Sequence, residues 1–569
     1  MSGLDWAVLV GVLAFFVVYG VLRGGRDKSV EGYLLAGRKM RWGTITLSIM
    51  ATQASAITFL STPGQAYADG MRFVQFYFGL PLAMVVLSIS AVPLYHRLKV
   101  YTAYEYLERR FDAKTRTLAA SLFLVQRGLA VGLTIYAPSL ILSVILGWDV
   151  RLVTALIAGL VVIYTTTGGT RAVSRTQAIQ MLVIWFGMAA ALATVAALIP
   201  ADVSFFDAVR LAGDAGRLNA IDTHFDLTNR YNLWSGLIGG TFLALSYFGA
   251  DQSQVQRYLS GRSITESRMG LLANGLFKVP MQFVILFIGV SVFAFYQLTP
   301  PPLFFNPVES ARVRASANGE RFAAIETRHA QAADEQARRA RTLVNARHSG
   351  DVAAEAGARQ ALDQARTETA RLRQEGVDLI AATRPGVPTS DTNYVFLWFV
   401  VHRLPAGIVG LVLAAVFAAS MSSSSAELNA LASTTVVDVY RRFIRPVADE
   451  RHYIRVSRLA TVMWTGFALL FAEWLSRLGS LVEAVNILGS LFYGTILGIF
   501  LAAFYLRRAT GTAVFVSAAV GEAPVIACYA FTPVSFLWYN VVGCVVVVLL
   551  AWVLSGRRAA ARQVSATPF

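Results

Sequence analysis

One stretch of this chain, residues 410–440, reads GLVLAAVFAASMSSSSAELNALASTTVVDVY and is long and apolar enough to cross a membrane as a helix. Its middle nevertheless carries four consecutive serines, at 422–425. Lipid offers no hydrogen-bond partners to hydroxyls or to freed backbone carbonyls, so this part of the helix must face other helices or a cavity. Two interpretations are open. The small and hydroxyl-bearing residues allow close helix packing, or they supply neutral, hard oxygen ligands of the kind that a dehydrated Na+ accepts.

Membrane-length hydrophobicity recurs along the whole chain. Of its 569 residues, 56% are hydrophobic and only 15% are charged, and the mean hydropathy is +0.54. This composition indicates an all-α, polytopic membrane protein. About thirteen segments are predicted to span the membrane as helices: 5–22, 43–62, 73–96, 118–147, 151–167, 176–200, 234–250, 270–298, 405–430, 456–475, 482–506, 511–531 and 535–555.

Basic residues in the short loops predict the orientation of these spans. If the N-terminus lies outside, every short loop rich in Arg or Lys falls on one side, and so does the C-terminus. This bias accounts for most of the basic residues in the short loops. The net charge of +16 therefore does not indicate binding to nucleic acid, and membrane lipid is the expected partner. Cys528 and Cys544 lie within the last two spans and are expected to be small packing residues. Arg- and Ala-rich usage without eukaryotic targeting signals favours a bacterial inner membrane, with the C-terminus in the cytoplasm.

A hydrophilic segment, residues 301–392, interrupts this pattern on the outer side. It is rich in Ala, Arg, Glu and Gln, which are strong helix formers, and the turn HSGD at 348–351 divides it in two. A solvated helical hairpin is the expected structure, and a poorly ordered insertion is the alternative. The chain then divides into five regions: a flanking helix (1–30), the first part of a core (31–300), the insertion (301–392), the rest of the core (393–506), and two C-terminal helices with a short tail (507–569).

Two spans contain polar interruptions that a lipid-exposed helix would not tolerate. The seventh span ends in SYFGADQSQ, residues 246–254, and the second carries four polar side chains close together: Thr52, Gln53, Ser55 and Thr58. Counted from the second span, these are the first and sixth helices of a ten-helix set. Interrupted helices at corresponding positions indicate two inverted five-helix repeats with a binding site near the membrane midplane.

Five motifs, taken in chain order, resemble the sodium:solute symporter family, which includes bacterial sodium–proline, sodium–galactose and sodium–sialic acid transporters. They are YLLAGRKMRWGTITLSIMATQASAITFLSTPGQAYADG, TTTGGTRAVSRTQAIQ, DQSQVQRYLSGRS, AASMSSSSAELNALASTTVVDVY and YGTILGIFLAAFYLRRATGTAVFVSAAVG. The resemblance covers most of the chain outside the insertion. It implies ten core helices in two inverted repeats, with one flanking helix before them and two after.

The resemblance also implies a Na+ site between the first and eighth core helices. Carried over by position, its ligands are the backbone carbonyls of Ala51, Ala54 and Ala419 and the hydroxyls of Ser422 and Ser423. Five uncharged oxygens can hold a monovalent ion weakly enough to release it.

Some family members have a second Na+ site that needs an Asp in the loop that here reads GGTRAVSRTQAIQ. Gln177 stands at that position. A neutral amide cannot supply the missing charge, although Ser425 keeps the hydroxyl expected on the partner helix. One Na+ per transport cycle is therefore expected.

The candidate solute-binding residues are Gln53, Ser55, Thr58, Tyr77, Tyr247, Phe248 and Lys278. In the resemblance, Gln53 stands where the proline-type members carry an Asp, and Tyr77 aligns with the second-helix Glu of the sugar-transporting members, so neither proline nor a sugar is favoured as the substrate. Arg127 and Lys278 lie within spans, where cations suit a carboxylate-bearing solute. The alternative is that Lys278 reaches the inner face and that Arg127 pairs with a backbone carbonyl or a polar neighbour.

The expected function is Na+-coupled import of a small organic solute by alternating access, with a carboxylate-bearing solute favoured. A sugar or amino-acid symporter, a proton-coupled transporter and a non-transporting sensor are the alternatives. An enzyme is not expected, because the six histidines lie at loops, span ends or in the insertion and show no zinc or haem spacing. The protein is expected to be a monomer or a weak homo-oligomer.

Overall fold

The computed structural model covers residues 1–23, 29–386, 389–475 and 481–564. Within these ranges the chain is helical and forms no β-strand, apart from one isolated bridge between Met40 and Gly261. Residues 24–28, at the end of the predicted flanking region, and residues 565–569 of the predicted C-terminal tail lie outside the described residues.

The described residues of the first half of the chain form thirteen α-helices. They are α1 (Gly3–Arg23), α2 (Val30–Leu35), α3 (Trp42–Gln53), α4 (Ala56–Asp69), α5 (Leu80–Ile89), α6 (Ala91–Leu98), α7 (Ala103–Arg110), α8 (Ala113–Leu146), α9 (Val150–Ala197), α10 (Phe205–Asp214), α11 (Gly240–Gly249), α12 (Gln252–Leu259) and α13 (Ile264–Leu298). Short 3₁₀ segments at Ala36–Arg38 and Gly70–Tyr77 and a π-helical segment at Ser235–Gly239 connect some of them.

Nine further α-helices follow, and a π-helical segment at Thr435–Ile444 extends one of them. They are α14 (Pro307–Arg314), α15 (Gly319–Ser349), α16 (Val352–Thr383), α17 (Thr392–Arg403), α18 (Ile408–Thr434), α19 (Glu450–Leu475), α20 (Leu481–Tyr505), α21 (Gly511–Phe531) and α22 (Phe536–Val564). Several begin at a side chain that caps the first turn. Asp112 accepts a hydrogen bond from the Thr115 amide at 2.9 Å, for example, at the start of α8.

In the described ranges, ten helical segments have the length and apolarity of membrane spans. They are 3–22, 56–98, 113–144, 150–197, 264–298, 408–444, 450–472, 482–505, 511–531 and 536–556. The other three predicted spans are present as helix too, but in different form: 43–62 is divided between α3 and α4, 234–250 is a shorter apolar helix, and two neighbours share α9. The count of thirteen therefore stays a prediction.

The helix α9 consists of two helical segments joined by a bend at Gly169. At Gly169, φ is +56°, a backbone conformation that favours glycine. A Cβ atom at this position would lie 2.8 Å from the Tyr33 carbonyl oxygen. Only glycine therefore allows both the bend and the close approach of the α2 backbone.

In the described ranges, two helices are broken at the polar interruptions noted in the sequence. The first break separates α3 from α4 at residues 54–55, and the second separates α11 from α12 at residues 250–251. The serine-rich α18 packs against α3, α8 and α9 and is buried along almost its whole length. The broken helix and the serines therefore meet in the protein interior.

The insertion forms a helical hairpin from α15 and α16, with Gly350 in a left-handed conformation at the turn. Ion pairs attach it to α10 and to the loop before that helix. Arg347 lies 2.7 Å from Asp214, and Arg341 lies 2.7 Å from Asp202.

Candidate ion and solute sites

The break after α3 leaves a backbone carbonyl available to α18. In a continuous helix the Ala51 carbonyl would accept from the amide of Ser55, but that amide instead donates to Gln53 at 3.2 Å. The Ser422 hydroxyl lies 2.7 Å from the Ala51 oxygen and 2.8 Å from the Ala419 oxygen. The Ser423 hydroxyl lies 3.5 Å from the Ala51 oxygen. Four of the five predicted Na+ ligands are therefore gathered across one helix contact.

The fifth predicted ligand, Ala54, lies within the same break. It is fully buried and ends α3, where its amide donates to the Met50 carbonyl at 2.8 Å. The oxygen atoms that could coordinate an ion here belong to uncharged hydroxyl and carbonyl groups. Such a set of ligands fits a hard monovalent cation better than a divalent one.

Gln177 lies beside these residues and connects three helices. Its amide nitrogen donates to the Thr52 hydroxyl at 3.1 Å and to the Ser422 carbonyl at 2.8 Å. Its amide oxygen accepts from the Ser48 hydroxyl at 2.5 Å. Both N–H groups of the Gln177 side chain therefore donate hydrogen bonds. Through these contacts the neutral amide holds α9 against α3 and α18.

A cavity of about 110 Å³ adjoins the first break. Five of the predicted solute-binding residues line it: Gln53, Ser55, Thr58, Tyr77 and Tyr247. The wall also includes five residues that were not among the predicted solute-binding residues: Gln126, Arg127, Glu427, Asn486 and Tyr493. Among the described residues of this wall, Arg127 is the only cation and Glu427 the only anion.

Arg127 belongs to a buried charge cluster. It contacts the Asp251 carboxylate, lies 3.0 Å from Glu427, and donates to the Tyr493 hydroxyl at 2.5 Å. Its guanidinium also lies 5.4 Å from the centre of the Tyr247 ring. Four core helices thus meet at one cation. Of the two interpretations of Arg127, the structure agrees with the one in which it pairs with polar neighbours. These neighbours are the carboxylates of Asp251 and Glu427.

Sequence analysis missed Asp251 and Glu427 as members of this site. Both are acidic residues within or next to membrane-length apolar segments, which is by itself a signal for function. Glu427 even lies two residues after Ser425. The spacing along the chain gives no indication that Arg127, on another helix, lies between them.

Phe248 and Lys278 do not line the cavity. The Phe248 ring is buried behind Tyr247, with ring centres 5.0 Å apart. Lys278 is fully buried, and its ammonium has no hydrogen-bond partner among the described residues; it lies 5.8 Å from the centre of the Tyr77 ring. Both residues thus stand behind wall residues.

The fold and these sites define a class of protein. A helical membrane protein with two interrupted helices, neutral oxygen donors at one break and an adjoining polar cavity is built as a secondary transporter. A profile of the sodium:solute symporter family matches residues 33–320 and 380–521. The chain belongs to this family, and the gap between the two matched ranges falls within the insertion.

Individual relatives agree with this assignment. The sodium/sialic acid symporter of Proteus mirabilis is 26% identical over 99% of this chain and 97% of its own length. Human sodium-coupled monocarboxylate transporter 1 is 25% identical over 87% of this chain and 68% of its own. A solved structure of a Na+-coupled sialic acid symporter, substrate-bound and outward-open, shares the fold with a TM-score of 0.74, at 24% identity over 98% of both chains. The protein is a membrane-integral symporter that couples Na+ to an organic solute.

Proposed function

We propose that the coupling Na+ binds at the α3–α4 break, to the carbonyls of Ala51, Ala54 and Ala419 and the hydroxyls of Ser422 and Ser423. The observation that carries the proposal is the 2.7 Å contact of the Ser422 hydroxyl with the Ala51 carbonyl, which the helix break has freed. A cation placed there would bind oxygens from the first and eighth core helices together. It would therefore stabilise the arrangement of the broken helix that shapes the solute cavity.

One Na+ per cycle is supported by the contacts of Gln177. Its side chain is neutral, and both its N–H groups are already donated. A second cation next to it would face an amide that offers no charge to balance it.

The solute cavity of the proposed transporter is the one beside Gln53 and Tyr247, and a carboxylate-bearing solute is favoured. The first N–H groups of a helix have no partner within that helix, and they attract anions. The helix α4 begins at Ala56, directly after Ser55, and Ser55 makes no side-chain hydrogen bond that caps it. The names of the relatives, which mention sialic acid and monocarboxylates, are consistent with a carboxylate at this position.

The proposed cycle is alternating access in a bacterial inner membrane, with the N-terminus outside and the C-terminus in the cytoplasm. One charge crossing about 150 mV contributes roughly 3.5 kcal/mol, and a tenfold Na+ gradient contributes about 1.4 kcal/mol. Together they allow accumulation of a neutral solute on the order of a thousandfold. A solute with one net negative charge would travel without net charge movement and would lose the larger contribution.

The test is thermal unfolding of the purified protein in detergent with Na+ or with K+. Wild type should be stabilised by Na+ alone, and Ser422→Ala/Ser423→Ala should lose that difference. Ser424→Ala is the matched control, because the hydroxyl of this buried serine on the same helix forms no hydrogen bond with any described residue. Equal unfolding temperatures of wild type in Na+ and K+ would reject the site and favour proton coupling.

A further inference from the structure

Three oxygen atoms of cavity-lining residues are buried and accept no hydrogen bond from any described residue. They are Gln53 Oε1, Gln126 Oε1 and Glu427 Oε2. A buried acceptor without a donor costs free energy, so such atoms indicate that a bound molecule supplies the donor. All three belong to the wall of the same cavity.

The hydrogen bonds of Tyr493 fix which end of the Gln126 amide is left without a partner. The Tyr493 hydroxyl has one proton, which it donates to Asp251 at 3.0 Å. It must therefore accept from Arg127 and from the Gln126 amide nitrogen, at 2.5 and 3.4 Å. If the amide were turned round, two acceptors would compete for a proton that is already used. The amide oxygen is thus the unpaired end.

Glu427 carries the unbalanced charge of the cluster. Asp251 is fully paired, because one carboxylate oxygen contacts Arg127 and Tyr493 and the other accepts from Ser253 at 2.7 Å. The guanidinium of Arg127 is thus paired with two carboxylates, those of Asp251 and Glu427. The formal charge of these three groups together is −1. Glu427 Oε1 takes the second contact with Arg127, and its Oε2 has none.

The groups closest to Glu427 do not supply a positively charged donor to its Oε2. The Thr134 hydroxyl, which also lines the cavity, is neutral, and its single proton is shared between the Glu427 carboxylate and the Ala130 carbonyl, which lies 3.2 Å away. The ammonium of Lys278 lies behind Tyr77 and is not part of the cavity wall. In the described structure, the place next to Glu427 Oε2 therefore requires a donor, and it favours one with positive charge.

We propose that this corner of the cavity binds a protonated amine of the solute. Glu427 Oε2 is its ionic partner, and Gln126 Oε1 accepts a second N–H bond. The inference rests on the proposed function and narrows it, because a carboxylate near the start of α4 and an ammonium at Glu427 together describe a zwitterion. A cavity of about 110 Å³ suits a small solute such as an amino acid.

The first test compares three solutes that share a three-carbon carboxylate skeleton. L-alanine carries an ammonium, L-lactate carries a hydroxyl at the same carbon, and propionate carries neither. In Na+, alanine should raise the unfolding temperature at concentrations at least about tenfold lower than lactate, since hydrogen bonds to charged groups are the stronger ones. Propionate should have the smallest effect, and none of the three should act in K+.

Glu427→Gln should raise the half-saturating concentration of alanine by about tenfold or more and remove its advantage over lactate. Glu522→Gln is the matched control. This carboxylate lies in α21 next to Thr495, away from the cavity, so the preference for alanine should survive. If Glu427→Gln does not fold, Gln126→Met removes a second acceptor and should weaken alanine binding in the same direction.

A second test uses charge movement in proteoliposomes. An inside-negative potential should accelerate Na+-coupled uptake of alanine, because one net charge crosses with a zwitterion. The inference is overturned, and the proposed function is left standing, if lactate or propionate equals alanine, if Glu427→Gln keeps the preference, or if Na+ stabilises the protein but none of the three solutes adds to it. If Na+ itself has no effect, the proposed function fails and the inference fails with it.

Discussion

Arg127→Gln tests whether the charge cluster holds the transporter core together. The side chains of Arg127, Asp251 and Glu427 are 4%, 1% and 7% exposed, so water screens their interactions very little. Removing the guanidinium leaves two buried carboxylates without a cation and takes one hydrogen bond from Tyr493. Breaking a buried ion pair by deleting one partner typically costs about 3–5 kcal/mol. We expect a loss of stability in that range.

Chemical unfolding in detergent micelles, followed by tryptophan fluorescence, measures this loss. Arg230→Gln is the matched control, because Arg230 lies 2.8 Å from Glu483 but is 44% exposed, and such pairs contribute about 1 kcal/mol or less. Adding Asp251→Asn to Arg127→Gln should recover part of the loss, since one unbalanced charge disappears. An Arg127→Gln protein within about 1 kcal/mol of wild type would refute the claim that the cluster is a buried, energetically coupled unit.

Three further predictions concern other parts of the molecule. In K+, Gln177→Asp should lower the free energy of unfolding by about 3 kcal/mol or more, because the new buried carboxylate lacks a cation. The same substitution should make the stability depend more steeply on the Na+ concentration. An unchanged Na+ dependence would contradict this prediction. Gly289→Ala should destabilise by about 1–3 kcal/mol or more, because its Cβ would lie 2.1 Å from the Pro63 carbonyl oxygen, whereas Gly357→Ala meets no atom within 4 Å and should be neutral or stabilising. Burial and then the charge of Arg373 lower the pKa of His329 from 6.5 to about 4. The unfolded chain therefore binds the extra proton in that window, and stability should fall as pH drops from 6.5 to 4, by at most about 3 kcal/mol; His329→Gln should reduce this pH dependence in thermal unfolding.

Sequence patterns predicted the helical membrane fold and the places of its breaks. Apolar segments of membrane length specify spans because the bilayer has a fixed thickness. Polar runs around Gln53 and before Asp251 could not face lipid, so they marked the two interrupted helices. The hairpin of the insertion also followed from local helix propensity and one turn. These features depend on residues that are close together along the chain.

Contacts between distant helices were not predictable in the same way. The sequence predicts that Arg127 is a cation within a membrane span. Its partners Asp251 and Glu427, however, lie 124 and 300 residues further along the chain. Lys278 has an equally polar side chain in an equally apolar helix, yet it stands behind Tyr77 and not in the cavity wall. Which face of each helix turns inward depends on packing against all its neighbours.

The sequence by itself determined the class of the protein, the breaks in its helices and the serines that can serve Na+, because the membrane penalises polar groups wherever they occur. Only the tertiary structure decided which side chains line the proposed solute cavity. It set one arginine against two carboxylates and left Gln126 and Glu427 each with a side-chain oxygen that accepts no hydrogen bond from the described residues. The physical reason is that charge balance and hydrogen bonding depend on distances between atoms, and the order of residues along a chain does not specify those distances.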